Sequence, residues 1–143
     1  MNIPYGRQYI DEDDIRAVVE VLKSDYLTTG PKVTEFEKKV AHYVGAKYAV
    51  AVSNGTAALH LACLAAGLKE GDEVITTPIT FVASSNAVLY CGATPVFADV
   101  NPHTYNIDTM DVRNKITSKT KAIIAVHFTG QPCKMDELNQ IAK

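Results

Sequence analysis

Tyr48-Ala49-Val50-Ala51-Val52-Ser53-Asn54-Gly55-Thr56 is where the chain changes its rhythm. Residues 48–53 are an apolar run of strand length, and Asn54-Gly55-Thr56 opens an alanine- and leucine-rich stretch suited to a helix ending at Gly67. The unit then recurs in kind. Glu73 to Thr77 is a second strand-length run, Phe81 to Cys91 a helical stretch closed by Gly92, and Thr94 to Asp99 a third run. After a loop from Asn101 to Asn106, Asp108 can cap a helix through Ile116, and Lys121 to His127 supplies a fourth run. Lys134 or Met135 then starts a last helix that is expected still to be running at Lys143.

Upstream the period is helical. Following an extended start from Ile3 to Tyr9, Asp11 can cap a helix whose Ile15, Val18, Val19 and Leu22 share one face. A loop from Ser24 to Gly30 leads to Pro31, suited to a first helical position, and Val33, Phe36, Val40, Tyr43 and Val44 form a second stripe that stops at Gly45. Strand-length runs alternating with helices predict the α/β class: a mostly parallel sheet with helices on both faces. Ligands of such sheets gather at the carboxyl ends of the strands, which here means the residues after Val52, Thr77, Asp99 and His127.

Composition narrows the function. At 143 residues, 47% hydrophobic and 21% charged, the chain matches a globular domain or part of a larger one. Fourteen basic against sixteen acidic residues leave a net charge of −2, without the basic, aromatic-interleaved patch that nucleic acid requires. No apolar stretch is long enough for a membrane span, and Asp11 to Asp14 stand where a signal peptide would be apolar. Cys63, Cys91 and Cys133 are an odd number outside any paired motif, so free thiols in a reducing, cytoplasmic compartment are expected. The four histidines have no ligand spacing with each other or with the cysteines, so no metal site is expected.

Three strand ends carry candidate chemistry. Ser53 to Ala58 is a strand-to-helix turn whose exposed N–H groups could hold a phosphate, or whose Ser53 or Asn54 could simply cap the helix while Gly55 permits the turn. No Walker lysine and no G-x-G-x-x-G accompanies it, which speaks against an ordinary nucleotide-binding domain. At the second end Pro78 stops the ladder, and Phe81 either covers a planar ligand or joins the core; Thr80 is a cap or a ligand contact. At the fourth end His127 and Gln131 either border a ligand or, for the imidazole, serve as a buried, hydrogen-bonded group. Asp99 has a turn-forming role, and the Tyr26 to Pro31 loop either closes over a ligand or only connects helices.

In this order the segments resemble the DegT-type sugar-nucleotide aminotransferases. The resemblance rests on Leu27-Thr28-Thr29-Gly30-Pro31, Ser53-Asn54-Gly55-Thr56-Ala57-Ala58-Leu59, Asp72 to Pro78, Thr80-Phe81-Val82-Ala83, Gly92 to Phe97, Asn106-Ile107-Asp108, and Thr120 to Ile123 leading to Gly130. The Thr76 to Ala83 run with Asn86 most resembles the aminotransferase of the pseudaminic acid pathway. The resemblance implies the N-terminal part of a fold type I large domain, with pyridoxal 5'-phosphate as cofactor. It divides the chain into residues 1–30, an N-terminal helix and substrate-side loop, and residues 31–143, the first portion of the cofactor-binding domain. By the same likeness Gly55 and Thr56 hold the phosphate and Phe81 stacks on the pyridine ring. Tyr5, Thr28, Thr29 and Gly30 contact substrate, and His127 to Gln131 border the cofactor. The implied partners are a nucleotide-linked 4-keto-6-deoxy sugar, glutamate, and a second copy of the chain.

The cofactor serves as an electron sink only with a lysine that binds it and a carboxylate that keeps its ring nitrogen protonated. In the family both lie beyond the fourth strand. None of the eleven lysines here occupies the family's lysine motif, so the chain is expected to be inactive alone. The alternative is a non-catalytic half-site module completed by another chain. The family's later strands also stand between the first and fourth, so Tyr48 to Ser53 would lack its usual neighbours. Rearranged pairing, self-association or a longer chain is expected.

Overall fold

A computed structural model describes residues 6–143, as two compact units that divide after Ala51. The first unit is helical. In α1 (Glu12–Leu22) the Asp11 carboxylate accepts the N–H groups of Asp13 at 3.0 Å and Asp14 at 3.1 Å. The Asp14 carboxylate returns the bond to the Asp11 N–H at 3.1 Å, closing a reciprocal cap. The α2 helix (Pro31–Val44) starts at its proline and ends at Gly45 in the left-handed conformation, φ 68°. Gly30 precedes it because a Cβ there would stand 2.7 Å from the Tyr26 Cβ.

On α2, Lys32 and Lys39 both bind Glu35, at 2.9 and 2.8 Å. Their ammonium groups, Lys39 first, hold the Glu35 carboxyl down at about 2. Val18, Val21 and Leu22 of α1, Leu27, and Phe36 of α2 line a cleft of about 560 Å³.

The strand expected over Tyr48 to Ser53 does not form. The sheet among the described residues has three strands and this segment is not one of them. Tyr48 and Val50 are 75% and 76% exposed, and the Ala51 N–H donates to the Glu37 carboxylate at 2.9 Å. An apolar run becomes a strand only through ladder bonds to a neighbour, and without one its backbone turns to a side chain and to water.

The second unit is the α/β body. In chain order it comprises α3 (Gly55–Ala65), β1 (Glu73–Thr76), α4 (Ala83–Tyr90), β2 (Thr94–Phe97), α5 (Thr109–Asn114), β3 (Thr120–Ile123), a 3₁₀ turn (Phe128–Gly130) and α6 (Met135–Ile141). The strands are parallel in the order β2-β1-β3, with Val74 opposite Pro95 on one side and Ala122 on the other. The expected elements are present but shorter: the third and fourth strands end at Phe97 and Ile123, each with one further ladder bond beyond, and α6 ends at Ile141, before Lys143.

Alternation along β1 builds two cores. Val74 faces Cys63, Leu68, Ala87, Val88 and Ala93, the layer of α3 and α4. Ile75 faces Ala98, Ile107, Val112, Cys133 and Leu138, the layer of α5 and α6. Helices thus cover both faces, as the run of strands and helices implies.

Val74→Ala should lower unfolding free energy by about 2 kcal/mol, two buried methyls, while Val50→Ala should stay within roughly 0.5 kcal/mol. Urea unfolding of the two variants checks this; equal losses would return residues 48–53 to a core. Because the Glu35 carboxyl is depressed from 4.5 to about 2, its contribution is complete above about pH 4.5 and lost as pH falls towards 2. Glu35→Gln should therefore remove a stability loss in that window, and added salt should shrink the difference.

Candidate functional site

The carboxyl edge of the sheet collects the candidate residues of the second unit. The α3 helix passes through a short turn into the amino end of β1, and α4 departs after the carboxyl end of the same strand. The two helices share the Val74 face, where His60 of α3 meets Tyr90 of α4 edge-on at 5.3 Å. Both helices therefore run opposite to β1, with their N-termini at its carboxyl edge.

At the N-terminus of α3 the Asn54 side chain accepts the Ala57 N–H at 2.8 Å, and the Asn54 carbonyl accepts the Ala58 N–H at 3.1 Å. The capping alternative is thus correct for Asn54. Among the described residues the N–H groups of Gly55 and Thr56 have no protein partner, as the first turn of a helix leaves them. Gly55 does not need its glycine for a left-handed turn, since its φ is not positive. A Cβ there would meet nothing within 4 Å, so the start of the helix is open around Gly55, beside its two free donors. Capping and anion binding are compatible here, because they use different N–H groups.

Phe81 is 75% exposed and stands before α4; the buried positions of that helix belong to Ala83, Ser84, Ala87 and Val88. Its turn is fixed by Thr77, whose hydroxyl accepts the Ile79 N–H at 3.3 Å, and by the 3.1 Å bond between the Thr80 and Ser84 hydroxyls. Thr80 caps nothing, since Val82 occupies the N-cap position. The ring of Phe81 is therefore free to lie against a planar ligand rather than to fill the core.

At the end of β2, Asp99 is tied into its own turn. Its carboxylate accepts the Val100 N–H at 2.8 Å, and its own N–H donates to Asp111 at 2.6 Å. Lys115 bridges Asp111 at 2.8 Å and the Phe97 carbonyl at 2.7 Å, and its ammonium leads in holding the Asp111 carboxyl below the ordinary range. This strand end is structural, in keeping with the turn-forming role expected of Asp99.

At the end of β3 the buried alternative for the imidazole fails. His127 is exposed, not buried, and its Nδ1 accepts the Cys133 N–H at 3.1 Å. The loop it opens is held by Asn106, a residue sequence inspection did not single out as an anchor. Asn106 is 4% exposed; its Oδ1 accepts the Phe128 N–H at 2.9 Å and its Nδ2 donates to the Gln131 and Pro132 carbonyls at 3.1 Å each. These partners lie more than twenty positions downstream, so no local pattern announces them. Within the loop Thr129 and Gly130 both take positive φ, 52° and 88°.

The structure thus brings Gly55, Thr56, Phe81 and His127 to one edge of the second unit. Thr28, Thr29 and Gly30 belong to the first unit, where Thr29 takes φ 49° in an exposed loop. Tyr5 lies outside the described residues. Among the described residues no three His, Cys, Asp or Glu side chains gather as a metal site, and no helix is long and apolar enough to cross a membrane.

Comparison with known proteins adds the lineage. Residues 8–143 match the DegT/DnrJ/EryC1/StrS aminotransferase family. The spore coat polysaccharide biosynthesis protein SpsC of Bacillus subtilis is 48% identical over 141 residues, covering 99% of this chain and 36% of SpsC. The GDP-perosamine synthase of Caulobacter vibrioides is 44% identical over 135 residues, 94% of this chain and 36% of that protein. Among solved structures, the putative sugar aminotransferase Spr1654 of Streptococcus pneumoniae in its PLP-form superposes with a TM-score of 0.90 at 38% identity, covering 99% of this chain and 36% of that one. The chain spans about a third of the length of these relatives. With the matched residues running through both units, the chain belongs to the DegT/DnrJ/EryC1/StrS aminotransferase family.

Proposed function

We propose that the chain forms the phosphate- and ring-binding part of a pyridoxal-phosphate-dependent aminotransferase acting on a nucleotide-linked 4-keto-6-deoxy sugar, with glutamate as amino donor. The observation that carries the proposal is the open N-terminus of α3 at Gly55 and Thr56, at the same sheet edge as the exposed ring of Phe81. Two unpartnered N–H groups, an empty space where a Cβ would stand and an exposed aromatic are what a phosphate joined to a flat ring requires, so the residues fit the cofactor. The likeness to a sugar aminotransferase solved with PLP supports the same choice.

When bound, pyridoxal phosphate withdraws electrons from the carbon bearing the amino group, a capacity no side chain supplies. The chain's own residues bind and orient. The Gly55 and Thr56 N–H groups, with the Thr56 hydroxyl, donate to the phosphate oxygens, and the α3 dipole favours their charge. Phe81 covers one ring face and excludes water from it. In this proposal residues 1–30 form the substrate side, with Tyr5, Thr28, Thr29 and Gly30 against the nucleotide sugar, and residues 31–143 form the cofactor side. Two copies pair as a homodimer in the cytoplasm.

None of the eleven lysines matches the family's anchoring motif, so the 143-residue chain binds without turning over. The narrower likeness to the pseudaminic acid pathway aminotransferase rests on Thr76 to Ala83 and Asn86. Relatives named for GDP-perosamine match at 44% and 47% identity against 34% for the pseudaminic acid aminotransferase, and no one pathway stands out.

Gly55→Val should weaken binding of pyridoxal phosphate by at least about tenfold, because its side chain holds the phosphate away from an N–H that would bond a charged group, without lowering the melting temperature. Phosphorus NMR titration and thermal unfolding read the two effects. Unchanged binding would overturn the site. Incubation of the chain with keto-sugar nucleotide, glutamate and cofactor should give no aminated product; turnover at an ordinary enzymatic rate would overturn the inactivity.

A further inference from the structure

The loop over 126–133 is fastened more firmly than a connection between β3 and α6 needs. The Cys133 thiol donates to the Val126 carbonyl at 3.1 Å, and the Cys133 N–H donates to His127 Nδ1 at 3.1 Å, so one residue closes the loop twice. Between those ties the Asn106 side chain spends all three of its bonds on the loop backbone, at 2.9, 3.1 and 3.1 Å. Burial pushes the Cys133 thiol up, which keeps its proton available for the Val126 carbonyl. The outcome is a fixed imidazole. With Nδ1 accepting, the neutral ring carries its proton on Nε2, and among the described residues Nε2 has no partner. His127 follows β3, whose extension pairs beside β1: the Ile124 N–H donates to the Ile75 carbonyl at 2.8 Å, and the Thr76 hydroxyl donates to the Ile124 carbonyl at 3.1 Å. The exposed imidazole therefore stands at the carboxyl edge of the strand next to the one that leads to Phe81.

We propose that His127 is a preset hydrogen-bond donor, through Nε2–H, to an anionic oxygen of the ligand held at this edge, and that Asn106 is the positioning residue that fixes it. The inference rests on the proposed function and deepens it, by adding a third group to the phosphate donors of α3 and the ring of Phe81. An unordered histidine exchanges its proton between two nitrogens and loses donor occupancy; this one is held in a single tautomer by a backbone N–H. Asn106 touches no ligand and acts only through the loop.

The test uses the 143-residue chain with pyridoxal 5'-phosphate as probe and inorganic phosphate as its control. Long-range nitrogen NMR of the neutral ring should show His127 in the Nε2–H tautomer in the free chain, and Asn106→Ala should give a mixture of both. Where alanine disturbs folding, Asn106→Asp serves instead, since it keeps the acceptor for the Phe128 N–H and loses only the two donors. His127→Phe should weaken pyridoxal phosphate binding about tenfold and His127→Gln, which retains a donor, by less than about threefold. A selective loss for the cofactor places the oxygen on the ring; a loss for both probes places it on the phosphate. An Nδ1–H tautomer overturns the proposal. So does wild-type binding by His127→Phe alongside weak binding by Gly55→Val, which leaves the proposed function standing. Binding insensitive to Gly55→Val removes the proposed function and the donor role with it.

Discussion

Burial of β1 on both of its faces is the constraint on which the α/β body depends. Val74 and Ile75 are consecutive, point to opposite sides and are completely shielded from water, so each needs its own apolar layer. A strand of this kind cannot form the edge of a two-layer fold. It sits between β2 and β3, and the helices on either side follow from its pleat. Thr76 and Thr77, equally buried, end the strand by turning their hydroxyls to backbone groups, and this anchors the turn that carries Phe81. The site inherits its rigidity from the core beneath it.

Polar groups at the sheet edge divide into those that are spent and those that are not. Around the end of β2, Asp99, Asp111 and Lys115 satisfy one another and the Phe97 carbonyl. Among the described residues, the donors without a protein partner at this edge include the Gly55 and Thr56 N–H groups and His127 Nε2. Each of these stands next to a group that is held: Asn54 is bonded into the cap, and His127 Nδ1 is bonded to Cys133. Fixed neighbours and free donors are the arrangement of a binding surface, because the ordering cost is met by the fold before any ligand arrives.

The alternation of elements was legible from residues 54–143, because helical and strand periods report burial directly and burial is what arranges these layers. Local caps were equally readable: Asp11, Pro31, Gly45 and Asp108 act within a few positions of themselves. Residues 48–53 were legible only in part: alternating apolar residues state only that a strand could form, and the lack of its usual neighbours followed from the family likeness rather than from any local pattern. For His127 only the buried alternative fails, for a related reason. Its exposure is set by the loop that Asn106 fastens from a distant position, and neither residue carries a local sign of the other. For Gly55 the turn and the phosphate were both open readings, and its φ, which is not positive, leaves the turn without need of a glycine.

The pairing order also has a kinetic consequence. Val74 meets Pro95 across one helix, but meets Ala122 only after α4, β2 and α5 have been laid down. Forming the centre of the sheet therefore closes a short loop first and a long one second, and the long closure carries the larger entropy cost before any contact repays it. During that interval β1 presents one open edge and one uncovered face, the two features that drive chains together. Folding yield should then be governed by how quickly β3 arrives, so the rate at which Thr120 to Ile123 docks matters more to obtaining the protein than the stability it adds once docked.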